Sequence, residues 1–250
     1  INNNWNGIKL QWTNNCGLTY NTLANNSYGI DLLKADNNTF YHNNLINNTR
    51  QASPAFSAGN VWDDGYPSGG NYWSNYNGTD LYSGPNQDQP GSDGIGDTPY
   101  LIGANDRYPL MGTSSRFSVT WEEQNYYVDI VSNSTVSGFD FGIIFDSESG
   151  KMISFDVAGP GGGVGFCRVV VPRALINEPY TVLVDGKVET ILLDISNGTH
   201  SYLYFTYNLS TKHVVIIPEF PSALILPLFI LATLTMVILM KHTSKKEHAC

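Results

Sequence analysis

The sequence predicts an all-β chain: the end of a parallel β-helix with an aromatic cap, then an immunoglobulin-like β-sandwich, then one transmembrane helix. Three observations predict it. A 22-residue repeat occupies residues 1–50, short alternating apolar segments recur between 115 and 217, and an uncharged apolar run extends from Ala223 to Met240.

In the first stretch Ile1, Leu23 and Leu45 are 22 apart, as are Asn3, Asn25 and Asn47, Asn4, Asn26 and Asn48, and the pairs Gly7/Gly29, Ile8/Ile30, Leu10/Leu32 and Leu18/Phe40. A fixed period of this size marks a solenoid. Gly-Ile-x-Leu alternates with the period of a strand, and the Asn pairs fall where the chain must turn. Stacked coils then bring equivalent Asn side chains together, so that their amides satisfy one another from coil to coil. The Asn-Asn-x-x-Gly-Ile-x-Leu pattern resembles the right-handed β-helix of the NosD-like, carbohydrate-binding and sugar-hydrolase repeat proteins. That resemblance implies either sugar chemistry or copper binding. The coils speak against both, because they hold only Asp31 and Asp36 as carboxylates and His42 as their one His, read here as a solvated surface residue. An outer face with Lys9, Gln11, Trp12, Asp31 and Leu33 remains, as a glycan-binding surface or as plain scaffold.

Residues 51–112 form a cap segment. The runs Asn60-Val61-Trp62-Asp63-Asp64-Gly65-Tyr66-Pro67, Asn71-Tyr72-Trp73-Ser74 and Asp106-Arg107-Tyr108-Pro109-Leu110-Met111 resemble the segment that ends the β-helix in archaeal surface proteins of the NosD-like group. A solenoid exposes its last apolar coil, and Trp62, Tyr72, Trp73, Tyr100 and Tyr108 supply plates to cover it. Within the segment, Ser92-Asp93-Gly94-Ile95-Gly96-Asp97 with Asp88 upstream resembles calcium loops of the Asp-x-Asp-Gly type. Calcium held by Asp88, Asp93 and Asp97 is one reading, and Asx-turns without an ion are the other.

Between 115 and 217 eight strands are expected, near Phe117–Trp121, Tyr126–Val131, Met152–Val157, Phe166–Val171, Tyr180–Val184, Val188–Leu193, Tyr202–Tyr207 and His213–Ile217. Asp185-Gly186 and Asn197-Gly198 are hairpin turns. Spacing of this kind points to a sandwich, here without the antibody-type Cys and Trp framework.

The Ala223–Met240 run is long enough to cross a bilayer, and Lys241, Lys245 and Lys246 follow it. The basic end therefore stays cytoplasmic and residues 1–217 face outward, as in a single-pass cell-surface protein. Pro218-Glu219-Phe220-Pro221 before the run resembles the PEF-type C-terminal sorting signal of archaeal proteins, which implies an archaeosortase as a partner. A permanent anchor of the same composition is the alternative. The chain opens at Ile1 without the secretion signal that this topology requires, so a fragment is expected.

Composition fits a surface location. With 13 Lys+Arg against 22 Asp+Glu the net charge is −9, which speaks against nucleic acid as a partner. Cys16, Cys167 and Cys250 are too scattered for a zinc site or a disulfide framework. Sequons at Asn25, Asn37, Asn47, Asn77, Asn133, Asn197 and Asn208 are glycan acceptors in an outward-facing chain. The functional expectation is a membrane-anchored structural or glycan-binding (adhesive) glycoprotein in contact with surface polysaccharide or an S-layer. A polysaccharide lyase or hydrolase with its catalytic coils upstream is the alternative, since no catalytic residue is legible in this chain.

Overall fold

The computed structural model describes residues 1–143 and 150–219, and its regular elements are all β-strands. The expected helix at 223–240, the Phe220-Pro221 half of the sorting motif and the basic tail lie outside the described residues. Among the described residues no helix is long and apolar enough to cross a membrane.

β1 (Asn6–Gln11), β2 (Gly17–Thr19) and β3 (Thr22–Ala24) make one coil, and β4 (Tyr28–Leu33), β5 (Thr39–Tyr41) and β6 (Asn44–Ile46) make the next. A third coil opens with β7 (Arg50–Ala55) and closes with β8 (Tyr72–Trp73). Each strand pairs in parallel with its equivalent one coil on: Ile8 with Ile30, Ile30 with Ala52, Leu18 with Phe40, Leu23 with Leu45. The Asn44–Tyr72 pair is 28 residues apart, whereas Thr39 still pairs with Val61, so the third coil takes its extra length between Val61 and Tyr72. Leu23, Ile30, Leu32, Phe40 and Leu45 fill the interior with no exposed surface.

The doubled asparagines divide their labour. Asn3, Asn25, Asn47, Asn15 and Asn37 turn the chain at positive φ, a conformation that Asn tolerates better than most residues. After Asn25, Asn37 and Asn47 the next residue is a buried Asn that builds the ladder. Asn26 donates its backbone N–H and side-chain amide to Asn48 Oδ1 at 2.9 and 3.0 Å, and Asn38 does the same to Asn60 at 2.9 and 3.1 Å. Asn43 donates likewise to Asn71 at 3.1 and 3.0 Å. These bonds satisfy amides that burial would otherwise leave unpaired.

In the cap, which carries β9 (Tyr82–Ser83) and β10 (Gln89–Pro90), a pile of rings continues the core. Phe40 stacks on Trp62 at 4.4 Å, Trp62 meets Trp73 at 5.8 Å, and Trp73 stacks on Tyr100 at 4.2 Å. The Asn43–Asn71 ladder ends on Asp106, which is fully buried and accepts from Asn71 N at 2.7 Å, Trp73 Nε1 at 2.8 Å and Tyr108 N at 3.1 Å. An acceptor-only group is what the last rung needs. Gly70 lies against this carboxylate, and a Cβ there would overlap it.

Ten strands follow: β11 (Thr113–Trp121), β12 (Gln124–Ser132), β13 (Thr135–Ile143), β14 (Lys151–Ala158), β15 (Val164–Pro172), β16 (Tyr180–Val184), β17 (Lys187–Glu189), β18 (Leu193–Ser196), β19 (His200–Asn208) and β20 (Lys212–Pro218). They form two antiparallel five-stranded sheets, β11-β12-β15-β19-β18 and β13-β14-β20-β16-β17, around one core that includes Ile130, Phe155, Val169, Val182, Phe205 and Ile216. The expected eight strands need correction in two places. β13 is absent from the sequence reading because a register shift between Ser137 and Asp140, beside Gly138 at φ 60, breaks its alternation. The single strand expected at Val188–Leu193 is two, and the chain changes sheets between them. The order also departs from the immunoglobulin arrangement, which places its third and fourth strands in different sheets; here they pair, and β20 lies beside them.

Cap and sandwich share a core of Ile95, Leu110, Val131, Phe166 and Tyr204. Arg168 of β15 is fully buried across this seam, donating to Asp93 O at 2.5 Å and to Pro67 O. The coils reach the sandwich directly: Asn44 Nδ2 donates to Ser114 O at 2.9 Å, and Ser114 N donates to Asn44 Oδ1 at 2.8 Å.

Candidate functional site

Where coils, cap and sandwich meet, the surface opens into a cleft of about 480 Å³ lined by Tyr20, Tyr41 and His42 from the coils, Asp64 from the cap, and Arg116, Tyr127, Asp129, His200 and Tyr202 from the sandwich. Tyr20 and His42 are equivalent residues of successive coils, both at positive φ just before the ladder residues Asn21 and Asn43. That corner fixes their direction. The sandwich side comes from the neighbouring strands β11, β12, β15 and β19.

The floor of the cleft is a connected polar network. Arg116 donates Nε to Asp129 Oδ1 at 2.7 Å and Nη2 to Asp129 Oδ2 at 2.9 Å, a bidentate pair of the strong kind. Arg116 Nη2 also donates to the Tyr20 hydroxyl, and the guanidinium lies 3.5 Å from the Tyr20 ring centroid and 4.8 Å from that of Tyr127. The Tyr20 hydroxyl lies 2.8 Å from Asp129 Oδ2 and 2.6 Å from His42 Nδ1, and its single proton is shared between these two acceptors. His42 Nε2 lies 3.0 Å from Ser68 O, which can only accept, so Nε2 carries the proton.

Burial pushes the His42 imidazole below its ordinary value, so the ring is neutral at neutral pH. The expectation of a solvated surface His is therefore corrected: His42 is 5% exposed. Burial first, then Asp129, pushes the Tyr20 hydroxyl far above the usual tyrosine range. Burial and the field of Asp64 do the same, less strongly, to Tyr41.

Above this floor the wall offers hydrogen-bonding groups. Among the described residues the Asp64 carboxylate has no hydrogen bond or ion pair in the fold, and neither do the Tyr41 and Tyr127 hydroxyls, while Asp64 and Tyr127 are exposed. Aromatic faces with convergent polar groups in a concave site are what a small polar ligand requires.

Two of the carboxylates proposed for calcium are engaged by backbone N–H groups of the fold. Asp97 accepts from Leu81 N, Tyr82 N and Thr79 Oγ1 at 3.0 Å each, while Asp93 is fully buried and accepts from Ile95 N at 3.0 Å. Asp88 is exposed. Asp93 thus makes an Asx-type turn and Asp97 ties the 79–82 backbone, and the calcium reading finds no support among the described residues. Chelator is expected to leave the thermal melt of the protein unchanged, as followed by circular dichroism with and without EDTA.

The outer coil face is partly self-neutralised. Lys9 pairs with Asp31 at 3.2 Å. Trp12, Lys34 and Phe56 occupy equivalent positive-φ corners of successive coils, with Lys34 Nζ 4.2 Å from the Trp12 ring centroid. The seven sequon asparagines are all exposed. Asn133 and Asn197, however, spend their amides inside the fold, on Val164 O and Phe166 N and on the Tyr202 hydroxyl and the 199–200 backbone.

The residues do not fit copper. Within the coils, both nitrogens of His42 are occupied by Tyr20 and Ser68, and Cys16 Sγ points to Asn14 O. Among the described residues no three His, Cys, Asp or Glu side chains group so as to hold a metal ion. No curated protein and no solved structure matches the chain. Residues 1–78 match the family described as "Periplasmic copper-binding protein (NosD)", and the coil stack with the first part of the cap is thus similar to that family over less than half of the chain.

Proposed function

We propose that the protein is a membrane-anchored, cell-surface adhesive protein that binds saccharide in the cleft at the junction of its coils, cap and sandwich. The observation that carries this reading is the pairing of Tyr41 and Tyr127 with the unpartnered Asp64 carboxylate in one concave site. Pyranose rings present apolar faces edged with hydroxyls, which rings and acceptors of this kind match. The coil stack is read as the end of a right-handed parallel β-helix that holds the cleft away from the membrane. The similarity of residues 1–78 to a family with a periplasmic name supports a location outside the cytoplasm. The apolar run after Pro221 supplies the anchor, either permanent or processed at the PEF-type motif. A glycan array probed with the full chain in detergent tests the reading. Binding to a related group of glycans, lost in Tyr127→Ala, is the expected result, and an array with no binder contradicts it.

The hydrogen bonding of the side-chain amides also predicts which sequons carry glycan. Asn25, Asn37, Asn47, Asn77 and Asn208 make no side-chain amide bond among the described residues, so peptide mass spectrometry of the protein from its native host should find them occupied, with Asn133 and Asn197 bare. Occupancy of Asn133 at the level of Asn25 goes against this. The same spectra read the tail: an intact Lys245–Cys250 peptide from most molecules means a permanent anchor, and its absence together with a lipid-bearing end means processing.

A further inference from the structure

Resting on the saccharide reading of the cleft, we infer that the site selects by charge: it takes uncharged hexopyranose units and rejects uronic acids, with Asp64 as the selecting residue.

The cleft contains one guanidinium, Arg116, and two imidazoles, His42 and His200. Both oxygens of Asp129 accept from Arg116 at 2.7 and 2.9 Å. Its faces are covered by Tyr20 and Tyr127. The cation is thus neutralised inside the protein, and a carboxylate arriving from outside competes with a bidentate partner already in place. His42, the other basic group on the floor, is buried, and its two nitrogens are committed to Tyr20 and Ser68. His200 completes the rim, with Nδ1 3.0 Å from Thr199 Oγ1.

Against this stands Asp64. Its carboxylate is exposed at the mouth, has no partner among the described residues, and sits close enough for its field to act on Tyr41, His42 and Tyr202. The carboxylates of Asp64 and Asp129 face the one guanidinium of Arg116, so these three groups together carry a net negative charge. A uronate brings a second uncompensated negative charge into a partly dehydrated space, which costs on the order of tenfold or more in affinity. Neutral sugar hydroxyls meet the reverse situation. An ionised carboxylate accepts from two vicinal hydroxyls at once, and the Tyr41 and Tyr127 hydroxyls donate or accept as the ring requires.

The test uses matched methyl glycosides that differ only at C6: glucoside against glucuronide, galactoside against galacturonide, mannoside against mannuronide. Each is titrated at pH 8 into the full chain in detergent and followed by saturation-transfer NMR. The neutral member of at least one pair is expected to bind at least tenfold more tightly than its acid. Asp64→Asn should bring that pair within about threefold, and Asp64 has no bond in the fold to lose, so an unchanged melting temperature checks that the variant is folded. Equal or tighter binding of the acid, or a ratio unmoved by Asp64→Asn, overturns charge selection while leaving the saccharide site standing. Failure of every pair to bind, or binding that survives Tyr127→Ala unchanged, removes the site itself and the inference with it.

Discussion

Replacing Arg168 by Met is expected to split one cooperative unfolding transition of the coils, cap and sandwich into two, with the cap and coils melting first. The guanidinium is fully buried and bonds two carbonyls of the cap, Asp93 O and Pro67 O, from a strand of the sandwich. Hydrogen bonds from a charged donor contribute about 1.5–3 kcal/mol each, and their loss leaves the buried Asp93 carbonyl and the half-buried Pro67 carbonyl without this donor. Methionine fills the volume but supplies no donor. Burial already raises the Asp93 carboxyl above its ordinary value while Arg168 opposes the shift, so without the cation Asp93 moves further up. Differential scanning calorimetry reads the result directly. A single transition at the wild-type temperature contradicts the clamp.

Asp106→Ala is expected to cost about 3 kcal/mol or more and to loosen the cap around Trp73. Three buried donors, Asn71 N, Trp73 Nε1 and Tyr108 N, end on this one carboxylate. Asn at this position is also unfavourable, because its NH2 faces donors. Trp73 emission, blue in the wild type because the ring is 1% exposed, should shift red in the alanine variant. Burial pushes the Asp106 carboxyl up to about 7, and the same cause raises Asp80 to about 7. The sign follows from linkage. A carboxyl whose folded value exceeds its unfolded one binds more proton when folded between about pH 4 and 7. These two groups therefore make the cap less stable as pH rises through that window. Carboxyl-carbon NMR should find both midpoints near 7, and midpoints near 4 would falsify the assignment.

The period of 22 made the coils legible, because stacking repeats one environment and so repeats its residue types. Asn25 and Asn26 show how far that legibility went. The pair marks a turn, but which Asn turns and which builds the ladder depends on φ, positive at Asn25, and composition does not carry φ. His42 was misread for a related reason. Its position 22 after Tyr20 placed it on a corner, yet its burial comes from Ser68 and from a sandwich sheet whose Asp129 lies 109 residues from Tyr20. Nothing local announces such a contact. The Asp93 and Asp97 spacing was chemically ambiguous, since backbone N–H groups and a calcium ion draw on the same oxygen lone pairs. In the sandwich, strong alternation located most strands, and a bulge at Gly138 hid β13.

The saccharide cleft is tested most directly by mapping a bound sugar onto the protein. With tyrosine, tryptophan and phenylalanine rings labelled in the full chain, titration with the best binder from the array should shift Tyr20, Tyr41 and Tyr127 together while Tyr76 and Tyr82 of the cap stay still. Shifts absent from these three while the sugar binds, or shifts confined to labelled Trp12 and Phe56 on the outer coil corner, would contradict a site at the junction.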